Sequence, residues 1–154
     1  MLSVTYNYSE NGGTAATKTA YSLMKNSAVD LTPTATKAGW EFVGWNTSKD
    51  ATAALASLNI GTENITLYAI YKKTFTGTFI DYNGITKQTR TVPVTIYNKA
   101  TSGSLTAPTQ STYTNWSSIG WSTATAANAA VTVNGGGPAV LLLIPPSMAC
   151  ISAH

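Results

Sequence analysis

Cysteine is almost absent. Cys150 stands alone, which excludes an internal disulfide and any metal site built on paired thiolates. Histidine is as scarce: the only one, His154, is the last residue, where chains commonly fray. A hydrolytic triad therefore has no imidazole in the body of the chain to carry its proton. Charge is thin as well. Asp, Glu, Lys and Arg together make up 10% of the 154 residues, against roughly a quarter in an average soluble domain. The net charge is +3, but the basic residues are scattered, and only Lys72 and Lys73 adjoin. No basic face interleaved with aromatics emerges, so nucleic acid is not an expected partner. The longest apolar run, residues 139–144, falls far short of the roughly 20 residues of a membrane helix. No membrane insertion by this stretch is expected. Met1-Leu2 leads straight into Ser3-Val4-Thr5-Tyr6 without a basic and then apolar leader, so an export signal is expected outside this fragment. Neither a Gly-Lys-Ser phosphate loop nor a Gly-x-Gly-x-x-Gly run occurs.

What remains favours strands. Hydrophobic residues make up 44%, enough for a core, and Thr, Ala, Ser and Asn take the place of charge. The branched Cβ of Thr suits a pleated surface. Val4-Thr5-Tyr6-Asn7-Tyr8 alternates as a half-buried strand does, and Asn11-Gly12-Gly13 supplies turn residues after it. A second strand is predicted over residues 17–23, ended at Thr32-Pro33-Thr34 because Pro cannot donate to a ladder. Trp40-Glu41-Phe42-Val43-Gly44-Trp45 follows as a third. Residues 48–58 are Ala-rich and open with Ser48 and Asp50, both N-cap types, which predicts a short helix. Ile65-Thr66-Leu67-Tyr68-Ala69-Ile70-Tyr71 is then a long strand, closed by Lys72-Lys73.

The order then returns. Thr78-Phe79-Ile80-Asp81-Tyr82 precedes Asn83-Gly84, and residues 89–97 alternate, with Pro93 marking a sheet edge. Pro108-Thr109 echoes Pro33-Thr34. Ile119-Gly120-Trp121 echoes Val43-Gly44-Trp45, 76 positions on. The leucine run at residues 139–144 falls where the closing strand of a second copy belongs, after the turn at Gly135-Gly136-Gly137. Such self-similarity is the mark of tandem modules, here residues 3–73 and 75–146, joined by a linker at Lys72-Lys73-Thr74 and followed by a tail at 147–154.

Val4-Thr5-Tyr6-Asn7, Asn11-Gly12-Gly13, Pro33-Thr34, Lys37-Ala38-Gly39-Trp40, Phe42-Val43-Gly44-Trp45 and Ile65-Thr66-Leu67-Tyr68-Ala69 together resemble the Listeria–Bacteroides repeat, the B-repeat of internalin-type surface proteins. The second copy keeps Gly120-Trp121 and Pro108-Thr109 but has Tyr113-Thr114-Asn115-Trp116 in place of the Gly-aromatic pair and lacks Leu-Tyr-Ala. The resemblance implies a mainly β chain, α+β at most. It implies two tandem small β-grasp-like modules, each a twisted mixed sheet with at most one short helix. It also implies a spacer or adhesive role at a bacterial surface and supplies no catalytic residues.

Gly44 and Trp45, with Gly120 and Trp121, form the structural signature of the repeat: a large indole packed into the core over a close backbone. Trp40 and Trp116 flank turns and are the candidates for contact with a glycan or protein partner. Glu41 is predicted on the solvated side of its strand. A Lys–Asn isopeptide bond needs a lysine, an asparagine and an acid buried together; Lys18, Asn59 and Glu41 qualify only by residue type. No enzyme, cofactor or metal is implied. The partners expected are a host or bacterial surface protein or glycan, and neighbouring repeats.

Overall fold

The computed structural model describes residues 1–82, 87–109 and 132–134. The chain divides into two compact units. The first comprises Met1–Lys73 together with Ile96–Ala100; the second begins with Thr74–Thr95 and resumes at Thr101. The described residues are mainly β and contain no helix.

In the first unit, β1 (Leu2–Asn7) is a central strand. Two short strands follow, β2 (Ala15–Ala16) and β3 (Ala20–Leu23), then β4 (Ala35–Thr36) and β5 (Glu41–Asn46). The long β6 spans Ile65–Tyr82. The sheet order is β3-β1-β6-β5. β1 runs antiparallel to β3 and parallel to β6, with Val4 opposite Ile65 and Asn7 opposite Tyr68. β5 runs antiparallel to β6, with Trp45 opposite Ala69. This is a mixed sheet in which the first and last strands of the repeat lie side by side, the pairing expected of a β-grasp-like module. β2 and β4 form a separate two-stranded ribbon.

Alternation places Val4 and Tyr6 of β1 inward, beside Leu67, Ala69 and Tyr71 of β6 and Trp45 of β5. Ala35 of β4 joins the same core, as do Val29 and Ile60 from two irregular segments. They are held to each other by backbone bonds, Val29 N–H to Leu58 O at 2.8 Å and Ile60 N–H to Ser27 O at 2.9 Å. They are held to the sheet by tyrosines: the Tyr6 hydroxyl donates to Asp30 O at 2.5 Å, and Asp30 N–H donates to the Tyr21 hydroxyl at 2.7 Å.

The helix predicted over residues 48–58 does not form. Its backbone groups are taken by distant partners instead. Asn46 Nδ2 bonds Ala53 O at 3.0 Å, Val29 N–H bonds Leu58 O, and the Leu55 N–H donates to Trp45 O at 2.9 Å. Each long-range bond removes a partner that an i→i−4 ladder requires. The second strand predicted over residues 17–23 is β3, which begins only at Ala20, with β2 ending before residue 17. No linker interrupts residues 72–74 either. β6 runs through them into the second unit, because Thr74-Phe75-Thr76-Gly77-Thr78-Phe79 continues the alternation, with Phe75 and Phe79 buried.

In the second unit, the latter part of β6 pairs with β7 (Lys87–Tyr97), whose last two residues return to the first unit. Thr74 and Thr95 share a hydroxyl–hydroxyl bond of 3.0 Å. Phe79 is fully buried against Val92 and Leu105. β8 (Ser102–Ser104) pairs antiparallel with β9 (Thr132–Asn134), a ribbon the sequence pattern did not announce. Trp116, Gly120, Trp121, the leucine run and the tail at 147–154 lie outside the described residues.

Candidate functional site

The two described tryptophans have different surroundings. Trp45 is 1% exposed. Its indole N–H donates to Pro33 O at 2.6 Å. Its ring meets Tyr6 edge-on at 5.0 Å and Phe42 at 5.5 Å. A buried indole with its one donor satisfied is a core anchor. Gly44 permits it: the ladder shifts register between Phe42 and Gly44, the backbone takes φ +147°, and a Cβ there would collide with the Cβ of Ala54.

Trp40 is half-buried against the same core. One face of its ring is already occupied, with Lys37 Nζ 3.7 Å from the ring centroid and Lys73 Nζ more distant at 6.0 Å. Lys37 also donates to the main-chain oxygen of Asn98. Burial lowers its basicity, and the positive charges of Lys73 and Lys99 lower it further.

Beside this patch lies a polar hollow of about 290 Å³ lined by Glu10, Asn11, Lys49, Tyr97, Asn98 and Lys99, among others. Glu10 pairs with Lys49 at 3.5 Å and Lys99 at 3.9 Å. Asn11 is buried, and its Nδ2 donates to Lys49 O at 3.0 Å and Ala69 O at 2.9 Å. Tyr71 is fully buried and bonded through its main chain to Asn98. Its hydroxyl donates to Tyr8 O at 3.1 Å, and Gly13 lets it do so, since a Cβ there would strike that hydroxyl. Burial pushes the Tyr71 phenol up to about 12. Tyr6 is raised too, by burial first and then by Tyr21 and Asp30.

The remaining acids and the isopeptide candidates are dispersed. Glu41 is exposed and pairs with Lys72 across the β5–β6 ladder at 3.5 Å. Lys18 pairs with Asp30 at 3.5 Å and lies over Tyr21 at 4.1 Å. Asp30 is held below the usual carboxylate range chiefly by the hydroxyl and N–H of Thr32, with Lys18 adding to it. Asn59 bridges Ala28 through its backbone. Lys18, Asn59 and Glu41 thus each have a separate setting. Lys37, Asn11 and Asn98 were not singled out in the sequence. Asn11 stands in a turn motif that reads as conformation alone, and Asn98 follows an alternating strand without any local signal of burial.

Among the described residues, no group of three or more His, Cys, Asp or Glu is placed to hold a metal ion, and no helix is long and apolar enough to cross a membrane. Residues 3–70 match the sequence model of the Listeria-Bacteroides repeat domain, a repeat-module family found in bacterial surface proteins and typically without catalysis. Neither the curated proteins nor the solved structures yield a match to the chain.

Proposed function

From a first module that carries the Listeria–Bacteroides repeat, we propose that the chain is a non-catalytic repeat region of a bacterial cell-surface or secreted protein, acting as a spacer and adhesion module outside the cell. The match over residues 3–70 is the observation that carries this reading. The closure of β1 against β6 supports it, because a module whose first and last strands are neighbours can be strung in series through its termini.

The tandem arrangement rests on the sequence echo, in which Trp121 follows Trp45 by 76 positions. On this reading the closing strand of one copy and the opening strand of the next are a single uninterrupted β6. Neighbouring repeats and a host or bacterial surface protein or glycan are the partners proposed.

The second reading is a carbohydrate- or glycoprotein-binding module centred on Trp40 and Trp116. The partial exposure of Trp40 favours it, whereas the ammonium of Lys37 on its ring narrows the surface left for stacking a sugar. A glycan array followed by titration of tryptophan fluorescence separates the two. The spacer reading expects no saturable quenching. Saturable quenching that Trp40→Ala abolishes would replace it with the binding reading.

A further inference from the structure

The match to the repeat ends at residue 70, yet the compact first unit also contains Ile96–Ala100. At the centre of that added segment is Asn98. It is 8% exposed and adopts φ +57°, the left-handed region that Asn tolerates better than other side chains. All of its polar groups are engaged. Its N–H donates to Tyr71 O at 2.9 Å, and its Oδ1 accepts from Tyr71 N–H at 3.1 Å. Its Nδ2 donates to Lys49 O at 3.2 Å and Ala51 O at 2.9 Å. Its main-chain oxygen accepts from Lys37 Nζ.

These bonds reach three parts of the first unit: strand β6 at Tyr71, the 49–51 segment that failed to become a helix, and the Lys37–Trp40 pair. Lys49 O receives a second amide from Asn11. Without Asn98, the N–H of Tyr71 and the oxygens of Tyr71 and Ala51 would lose partners in a setting where Tyr71 is fully buried. Unmade bonds there carry the desolvation cost of each group.

We propose that residues 96–100 are a strap that completes the first module, with Asn98 as its latch, so that the folding unit is the repeat plus a segment supplied from beyond it. The socket selects asparagine by chemistry. It requires one acceptor and two donors on a short arm, together with a left-handed backbone. Glycine meets the backbone requirement and lacks the amide. Aspartate turns an oxygen toward the carbonyls of Lys49 and Ala51.

Asn26 provides the control. It is exposed, and its backbone is also left-handed, at φ +63°. Hydrogen exchange and urea denaturation of the full chain should compare Asn98→Gly and Asn98→Asp with Asn26→Gly. The latch predicts at least a tenfold rise in exchange at the Tyr71 amide and a lowered midpoint for both Asn98 variants, while Asn26→Gly stays near the parent. Unchanged exchange at Tyr71 in Asn98→Gly would overturn the proposal, since backbone conformation would then be all that Asn98 supplies. If the Asn98 variants do not fold, the unaltered chain decides. Exchange of the Asn98 and Tyr71 amides in the same rare opening as those of β1 supports the strap. Exchange of both a hundredfold faster than β1 sinks it.

Discussion

One strand, β6, carries two burial patterns, and its halves belong to different units. From Leu67 to Tyr71 nearly every side chain is buried: Leu67, Ala69, Ile70 and Tyr71 are all fully covered. Here the strand lies between β1 and β5, and a parallel neighbour together with cover on both faces calls for a nearly continuous apolar run. From Thr74 onward the pattern becomes strict alternation. Phe75, Gly77 and Phe79 are buried, whereas Thr74 and Thr76 are exposed. Period two with threonine outward is the signature of a strand with one face in the core. The difference shows that neighbours on either side, rather than strand propensity alone, set how much apolar residue a strand must carry.

The strongest way to break the comparison is to remove an anchor from one half only. Trp45→Ala should destabilise the first unit by about 3–5 kcal/mol, through lost packing and cavity formation. Pro33 O also loses its donor. Urea denaturation read by hydrogen exchange should show residues 65–71 losing protection before residues 74–79. Phe79→Ala, which empties the contact with Val92 and Leu105, should cost about 3 kcal/mol and reverse that order.

Two glycines sharpen the contrast at lower amplitude. Gly44→Ala meets both a positive φ and the Cβ of Ala54, and should cost about 2 kcal/mol in the denaturation midpoint. Gly77→Ala meets only the flexible end of Leu105, at 2.9 Å, and should cost under about 1 kcal/mol.

A similarly small effect is expected at Tyr71. Replacement by Phe removes the hydroxyl bond to Tyr8 O and should cost about 1 kcal/mol at neutral pH. The phenol is raised in the folded state, so the stability linked to its proton is whole below pH 10 and lost as pH climbs toward about 12. A pH series of melting temperatures should fall less steeply above pH 10 in Tyr71→Phe than in the parent chain.

The strands were largely legible because alternation is local. Val4 and Tyr6, Glu41 to Trp45, and Ile65 to Tyr71 announce themselves by periodicity and composition. The core position of Trp45 could be read from its glycine neighbour, since close backbone approach and a large ring go together. The Ala-rich stretch at residues 48–58 misleads because helix propensity is also local, whereas the bonds that hold this loop come from Asn46, Val29 and Trp45. Asn98 was illegible for a related reason. Its five partners come from Lys37, Lys49, Ala51 and Tyr71, and nothing adjacent to it in sequence reports them. The candidate contact at Trp40 could be named from its place beside a turn, but the lysine on its ring depends on how residues 37–40 fold back.

The chain leaves the first unit after Lys73 and re-enters it at Ile96, which sets the order in which its parts would feel a pull. Tension arriving from the C-terminal side meets residues 96–100 before it meets β6. The bonds of Asn98 then act as a fuse in series, yielding ahead of the parallel β1–β6 ladder. That ladder is loaded last and in shear, with its rungs strained together rather than opened one by one.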